Sequence, residues 1–503
     1  MAADIEGGYV TPATLVESLA KRGAVLDAVS PDEPGDEPSE ALTANFRTIL
    51  SASYQLMGTE TRRIYRMLSQ RLGKRIDPYS VCLVAEASLD SARKIVRKFE
   101  SVGLIDRTDG FTFDVHDLLR EFASEQCSDE ETRTAIDRLT IGFYGAVNVA
   151  FDTVNPGNPM VDHPFISGWS GRADAEEWIE TSHSHRTTDW FIDHLSVFVD
   201  SAKRACELTP PAPFGPRLAA SLFYFLEITN HWHDLEQVTN VALANSEEKS
   251  DPTTFGYLLR NSARLIMMRT RDSLDRIRSE SLPPVEVARL QSSCRSAIMM
   301  YERSITLLGS NTRFPDAGKV TVREIADTRL QLARIDPTAS NLEAAEDAYR
   351  SAAQQFEGAE NPTASLSLSY GEVLRMMNRF DDALQRFEIA LNYALAPVAG
   401  RPLRHGPLAG HGLAKQAFLF TQTGNQQAAV DAFDRSIGIF HSYGNWLDEA
   451  RTLARKGHLL AEVIGTDEAR SALERSEKLL RDNGRSEADV ASRWLSELGA
   501  ASD

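Results

Sequence analysis

Residues 366–394, LSLSYGEVLRMMNRFDDALQRFEIALNYA, decide the fold of most of this 503-residue chain. The spacing of their apolar side chains predicts two helices joined by a turn at residues 378–380. Side chains that are small or aromatic mark the place where the two helices cross, and these are Gly371, Ala383, Phe387 and Ala390. Because small side chains let two helix backbones approach closely, the stretch predicts a tight helical hairpin.

The same crossing pattern occurs in three other stretches of the chain. The matching sets are Ala333, Ala345, Tyr349 and Ala352; Ala417, Ala429, Phe433 and Ser436; and Gly457, Ala469, Leu473 and Ser476. All four sets fit a helix-turn-helix template of about 34 residues, which is the tetratricopeptide repeat. Residues 173–503 are therefore predicted to form a TPR-like α-α superhelical solenoid, whose repeats bury a core against their neighbours and leave a concave groove.

The N-terminal part of the chain is organised differently. Residues 1–41 hold a short amphipathic stretch and the run SPDEPGDEPSE at positions 30–40. Three prolines and five acidic residues in that run oppose helix and strand, so it is interpreted as a linker. Residues 129–172 are predicted to be a connecting helix followed by a loop rich in glycine and proline.

Residues 42–128 carry the pattern of a winged-helix domain. Three or four short amphipathic helices are predicted, with Ser88 as the N-cap of the last. A β-hairpin follows over residues 104–115, because Asp109-Gly110 separates two strand-like segments. His116 and Asp117 come directly after the hairpin, and Asp117 can cap the next helix.

Composition excludes several classes of protein. Lys and Arg number 54 against 72 Asp and Glu, and the resulting net charge of −18 opposes general affinity for nucleic acid. The four cysteines have no CxxC spacing, which indicates neither a disulfide framework nor a zinc site. The sequence contains neither a signal peptide nor a membrane-spanning run, so we expect a cytoplasmic protein without membrane contact.

The order of these parts resembles the C-terminal part of the bacterial STAND ATPases of the NB-ARC type, in which a winged helix precedes a TPR sensor. The segments that carry the resemblance are ILSASY at 49–54, RRIYRML at 62–68, VHDLLREFA at 115–123 and AEEWI at 175–179. The most specific element is Val115-His116-Asp117, which is similar to the Met-His-Asp motif of the family.

The resemblance implies a role for this motif. The chain also departs from the family in one respect. In the family the motif histidine contacts the β-phosphate of ADP, which would assign nucleotide contact to His116 and Asp117. A phosphate-binding loop needs Gly-x4-Gly-Lys-Ser/Thr, and neither Gly73-Lys74 nor Gly318-Lys319 is followed by Ser or Thr. We therefore expect no cofactor bound by this chain alone, and ADP or ATP only with a separate P-loop ATPase chain. The chain is then half of a split system, a fragment, or a derivative without the ATPase.

Two groups of residues can each be interpreted in two ways. His116 either contacts a nucleotide held by another chain or only precedes a helix cap. The basic side chains Arg93, Lys94, Arg97 and Lys98 form either a DNA-binding face or a face that meets solvent or an acidic partner domain. No metal site is predicted, because the pairs His183/His185 and His231/His233 diverge on a helix.

The predicted function is that of a non-enzymatic regulatory protein, since no catalytic constellation stands out. Its TPR groove, between about Leu218 and Leu480, would bind a protein or peptide partner and act in signal transduction. The alternative is a winged-helix transcriptional regulator that binds DNA.

Overall fold

The structure is a computed structural model and is mainly α-helical. It describes residues 54–500 apart from short gaps, which are residues 56, 71–74, 103, 108–112, 116, 157, 159, 182–186, 230, 278–282, 310–312, 315, 358–359, 399–401 and 486. The chain divides into two compact units. The first comprises Met1–Ser262 with Leu307–Pro315, and the second comprises Ala263–Thr306 with Asp316–Asp503.

The described part of the first unit opens with three helices and three short strands. In chain order these are α1 (Thr59–Leu68), β1 (Arg75–Ile76), α2 (Pro78–Ala85), α3 (Leu89–Ser101), β2 (Asp106–Arg107) and β3 (Phe113–Asp114). Strand β3 lies between β1 and β2 and is antiparallel to both, with Phe113 opposite Ile76 and Arg107. The pairing of β2 with β3 agrees with the predicted hairpin, whereas β1 was not predicted.

Local sequence accounts for the ends of these helices. The Asp77 side chain accepts a hydrogen bond from the backbone N–H of Ser80 at 2.7 Å and caps α2, and Pro78 fits the first turn. Ser88 caps α3 as predicted, accepting from the backbone N–H of Ser91. The predicted turn at Asp109-Gly110 lies outside the described residues.

The remaining helices of the first unit surround one long central helix. They are α4 (Asp117–Glu125), α5 (Asp129–Val154), α6 (His163–Gly168), α7 (Arg172–Thr181), α8 (Thr187–Glu207), α9 (Gly215–Ser221), α10 (Phe223–Ile228), α11 (Trp232–Asn245) and α12 (Pro252–Ile277), which continues into the second unit. Helix α5 approaches α2 closely at Gly142. A Cβ added there would lie 2.2 Å from the Leu83 side chain. Tyr79 also donates a hydrogen bond to the Gly142 carbonyl at 3.2 Å.

Helix α6 lies inside the segment that we predicted as a loop. Its cap is Asp162, whose side chain accepts from the backbone N–H of Phe165 at 3.2 Å. Asp162 is almost fully buried, and it also binds the Tyr144 hydroxyl at 2.6 Å and Arg313 Nε at 2.9 Å. The helix therefore depends on partners distant in sequence, which a local pattern of glycine and proline does not reveal.

The second unit consists of helical hairpins. Its helices are α13 (Pro284–Leu308), α14 (Ala317–Ile335), α15 (Ala339–Gln355), α16 (Glu360–Met376), α17 (Phe380–Leu395), α18 (Gly406–Gln422), α19 (Gln426–Ser442), α20 (Trp446–Leu459), α21 (Ala461–Ile464), α22 (Thr466–Asp482) and α23 (Ala488–Ala500). The four predicted repeats correspond to the pairs α14/α15, α16/α17, α18/α19 and α20/α22, and each pair is in contact. The predicted TPR-like repeats are confirmed.

The predicted crossing residues lie where the helices are closest. A Cβ at Gly371 would lie 2.6 Å from the Phe387 ring and 3.1 Å from the Ala383 carbonyl oxygen. In the last repeat a Cβ at Gly457 would lie 2.8 Å from the Ala469 carbonyl oxygen. Such distances leave no room for a side chain, so the crossing requires glycine at both positions.

Short turns close two of the hairpins, α16/α17 and α18/α19. Asn378 and Gly424 adopt left-handed conformations with φ of 59° and 78°. The N–H groups that follow them, on Arg379 and Asn425, bond to carbonyls five residues earlier at 2.9 Å. This is the Schellman arrangement, and it reverses the chain within a few residues.

Replacing Gly371 by Ala tests the crossing directly. We expect Gly371→Ala to lower the free energy of unfolding by about 1–3 kcal/mol, because the added methyl group overpacks the contact with Phe387 and Ala383. The matched control is Gly438→Ala within α19, where a Cβ meets no atom within 4 Å, and there we expect a gain of about 1 kcal/mol from helix propensity. Urea unfolding measures both, and a gain for Gly371→Ala would contradict the predicted crossing.

Candidate functional site

The candidate site is the surface formed by the first helices of three successive repeats, α14, α16 and α18. Helix α16 lies between the other two and contacts both. We call this surface the first-helix face. Its defining side chains are Asp327 and Arg334 on α14, Glu372 and Arg375 on α16, and Lys415 and Phe418 on α18.

The centre of the face is the Glu372 carboxylate, which three basic side chains approach. Arg375 donates to it from Nε at 3.2 Å and from Nη2 at 2.9 Å. Arg334 Nη2 and Lys415 Nζ each lie 3.6 Å from a carboxylate oxygen. Burial works against the charge of Glu372, but Lys415, Arg375 and Arg334 outweigh it and hold its pKa well below the usual range.

One stripe of α18 supplies the rest of the face. His411, Lys415, Phe418 and Gln422 recur at helical spacing. The Arg375 guanidinium lies over the Phe418 ring, 4.7 Å from its centroid, and its Nη1 donates to Gln422 Oε1 at 2.7 Å. Both contacts hold Arg375 in a fixed position between α16 and α18.

The other end of the face carries a carboxylate with a different environment. Asp327 accepts a hydrogen bond from the Tyr349 hydroxyl at 2.6 Å, and its nearest cation is Arg323, with Nε at 3.7 Å. Its side chain is 41% exposed, yet burial raises its pKa.

The structure places the four side chains of the predicted basic face in two different environments. Arg93 forms ion pairs with Asp90 at 3.0 Å and with Glu177 of α7 at 2.7 Å. Lys94, Arg97 and Lys98 are exposed on α3. His116 lies outside the described residues, and Asp117 begins α4 without a described side chain.

The sequence analysis missed the Glu372 cluster, although a signal for it was present. Arg334, Glu372, Phe418 and His458 each follow directly after the small crossing residue of their repeat. In a helix, the residue after a buried one points to a different side. The equivalent position in successive repeats therefore marks the exposed side of the first helices.

A recess of about 460 Å³ lies beside α20 and α22. Glu449, with 4% of its side chain exposed, forms an ion pair there with Arg475, and one of its carboxylate oxygens lies 3.1 Å from His441 Nδ1. The Glu449 carboxylate therefore has partners within the protein. Within the part of the chain that the structure describes, no three His, Cys, Asp or Glu side chains are placed to hold a metal ion. No helix among those residues is long and apolar enough to span a bilayer.

Comparison with known proteins gives similarity at low identity only. No protein-family model matches the sequence, and no curated protein matches it. Among solved structures, the chain is similar to a STAND protein with a tetratricopeptide repeat sensor from Pyrococcus horikoshii, with a TM-score of 0.45 and 12% identity over 94% of this chain. The chain spans 63% of the length of that protein.

Two further solved structures are similar to the chain at lower scores. The Cut9–Hcn1 hetero-tetramer of the APC/C gives a TM-score of 0.39 at 12% identity, covering 91% of this chain and 87% of that one. The Rap protein complexed with competence and sporulation factor gives 0.33 at 10% identity, covering 90% and 98%. At these scores the likenesses carry no argument for a shared activity or partner.

Glu372 is expected to stabilise the second unit. Replacing it by Gln leaves Arg334, Arg375 and Lys415 without their shared carboxylate, and we expect Glu372→Gln to lower the free energy of unfolding by about 3 kcal/mol. The exposed Glu388→Gln on α17 is the control and should change it by less than about 0.5 kcal/mol.

The difference in the free energy of unfolding between the wild type and Glu372→Gln should become smaller as the pH is lowered. Because the pKa of Glu372 is depressed in the folded state, its stabilisation is complete above about pH 4.3, the pKa of an unperturbed glutamate, and is lost as the pH falls below it. Urea unfolding of the wild type and Glu372→Gln should therefore converge as the pH falls from about 4.3 through the depressed pKa of Glu372. A difference independent of pH would rule out this assignment.

Proposed function

We propose that this chain is a non-enzymatic regulatory protein whose TPR-like repeats bind a protein or peptide partner on the first-helix face. The observation that carries the proposal is the row of accessible charged side chains across α14, α16 and α18. The side chains of Asp327, Arg334 and Lys415 are respectively 41%, 17% and 27% exposed, so each can be reached by a partner.

The packing behind the face supports this proposal. The side chains beneath it form one core cluster that includes Leu330, Val373 and Leu374, each at most 3% exposed. The helices are therefore fixed before a partner arrives, and ordering them adds no cost to binding. Polar groups held on a rigid surface are the usual basis of specific recognition.

Charge reversal on the face tests the proposal in the full-length chain. We expect Lys415→Glu to lose a partner that the tagged wild type captures from the cells that express it, because the new carboxylate lies beside Glu372. The matched control is Arg435→Glu on α19, an exposed position on a second helix with the same change of charge. Mass spectrometry of the captured proteins measures both.

A second variant guards against misfolding. Gln422→Glu changes an exposed residue at the edge of the same face, and circular dichroism checks the fold of all three variants. Retention of the same partners by Lys415→Glu, Gln422→Glu and Arg435→Glu alike, or capture of none by the wild type, would refute the proposal.

The resemblance to STAND proteins extends the proposal to the N-terminal part of the chain. Helices α1 to α3 and the small sheet would act as a winged-helix module, and His116 with Asp117 would contact ADP held by a separate P-loop ATPase. Partner binding on the repeats would then change how this module contacts the ATPase. The same capture tests this extension, since a P-loop ATPase with ADP should be recovered and should be weakened by His116→Ala.

DNA binding by a winged helix is the second candidate function. The observation that favours it is the exposure of Lys94, Arg97 and Lys98, which lie at i, i+3 and i+4 on one side of α3. The ion pairs of Arg93 remove the fourth basic residue from that face.

A salt titration distinguishes the two candidates. If the chain binds DNA, affinity for a duplex should fall steeply with salt, and Arg97→Glu with Lys98→Glu should abolish it. The regulatory proposal expects no duplex binding by either protein at physiological salt. Binding that persists in the double variant would exclude α3 as the contact.

A further inference from the structure

We propose that the recess beside α20 and α22 binds a free α-amino acid with an aromatic side chain. The volume of the recess, about 460 Å³, is in the range of sites for small molecules. Its lining comes from the end of α19, the turn that follows, the start of α20 and the C-terminal half of α22. The recess shares no residue with the first-helix face, so this inference does not rest on the proposed function.

One ion pair in the recess is already complete. Glu449 pairs with Arg475 through one carboxylate oxygen, and the other oxygen lies 3.1 Å from His441 Nδ1. Only 4% of the Glu449 side chain is exposed, so this carboxylate is closed to a ligand. Because Arg475 and Glu449 neutralise each other, they form part of the wall and add no net charge to the site.

Two charges of opposite sign remain on one stripe of α22. Lys478 and Asp482 are four residues apart, which places them on the same side of the helix, about 6 Å apart along its axis. Both side chains are exposed, and among the residues that the structure describes neither has an ion-pair partner. Lysine before aspartate is also the less favourable order for pairing along a helix. The recess therefore presents one cation and one anion to a ligand.

Trp446 and Leu479 supply an apolar wall. Leu479 packs against a buried cluster that includes Ala450 and Leu480, so its position is fixed. Trp446 is the first residue of α20 and is partly buried. Within the described part of the chain its ring stacks on no other ring. A ligand ring is suited to this wall, because an aromatic pair gains more than the burial of its area alone.

These features together select the chemical class of the ligand. An α-amino acid carries its ammonium and its carboxylate on one carbon atom, so both charges fit within one turn of a helix. The carboxylate would bind Lys478, the ammonium would bind Asp482, and the ring would pack on Trp446. Asp482 is the last residue of α22, where the negative end of the helix dipole also favours a cation. A simple anion would meet Asp482, and a simple cation would meet Lys478, so each would be repelled by one of the two.

Probes that each lack one group test this inference on the full-length protein. The main probe is L-phenylalanine; 3-phenylpropionate lacks its ammonium, 2-phenylethylamine lacks its carboxylate, and L-alanine lacks its ring. We expect L-phenylalanine to bind about fivefold more tightly than either single-charge probe, the size of one exposed ion pair. It should bind more than about tenfold more tightly than L-alanine, which buries no ring. Ligand-observed NMR titration at low salt and near-neutral pH measures the dissociation constants.

Three variants assign each group of the ligand to its partner. Lys478→Gln should weaken only the probes with a carboxylate, Asp482→Asn only those with an ammonium, and Trp446→Leu only those with a ring. Circular dichroism checks that each variant is folded. The matched controls Lys249→Gln and Asp381→Asn change exposed residues outside the recess and should alter none of the constants.

The outcomes decide between a small molecule and a protein side chain. N-acetyl-phenylalanine amide carries the ring without either charge, as phenylalanine does inside a polypeptide. If it binds as tightly as L-phenylalanine, the recess accepts an apolar side chain of a partner protein and the inference is wrong. Absence of L-phenylalanine binding, or equal binding of L-phenylalanine and the single-charge probes, would also overturn it. None of these results affects the capture experiment with Lys415→Glu, so the proposed function is tested separately.

Discussion

The structure of the second unit depends on one constraint, which is the close approach of two helix backbones within each repeat. A Cβ at Gly371 would lie 2.6 Å from the Phe387 ring, and a Cβ at Gly457 would lie 2.8 Å from the Ala469 carbonyl oxygen. At the last crossing position two repeats have alanine and two have serine, and each serine adds a hydrogen bond. Ser436 donates to the Gly410 carbonyl at 2.8 Å, and Ser476 donates to the Ala450 carbonyl at 2.7 Å. A larger side chain at any of these positions would separate the helices and change the angle at which the next repeat docks.

The close approach of the two helices in each repeat explains how side chains distant in sequence form one surface. Because the two helices of each repeat cross at equivalent positions, the first helices of α14, α16 and α18 lie side by side. Arg334 and Lys415, which lie about forty positions before and after Glu372, are thereby brought within 3.6 Å of its carboxylate. The first-helix face is thus a product of the repeat period, and a change in the crossing geometry would disperse its charges.

The distinction between contacts within a repeat and contacts between repeats also explains which features could be predicted from the sequence. The crossing residues of a hairpin are close in sequence and follow a fixed template, so the helices and repeats were predicted from Gly371, Ala383, Phe387 and their equivalents. The Glu372 cluster involves three different repeats, and predicting it requires knowledge of how the repeats stack. Helix α6 and strand β1 were missed for a similar reason, because Asp162 and Ile76 find their partners far along the chain. The nucleotide contact assigned to His116 stays a prediction, since that residue lies outside the described part.

Net charge proved a poor guide to the chemistry of the face. A chain with a charge of −18 would be expected to repel acidic ligands, but long-range repulsion is screened within about 8 Å at physiological ionic strength. Recognition is decided by the groups within contact distance, and around Glu372 these are predominantly cationic. These cations hold the pKa of Glu372 well below its usual range, whereas burial raises the pKa of Asp327 on the same face.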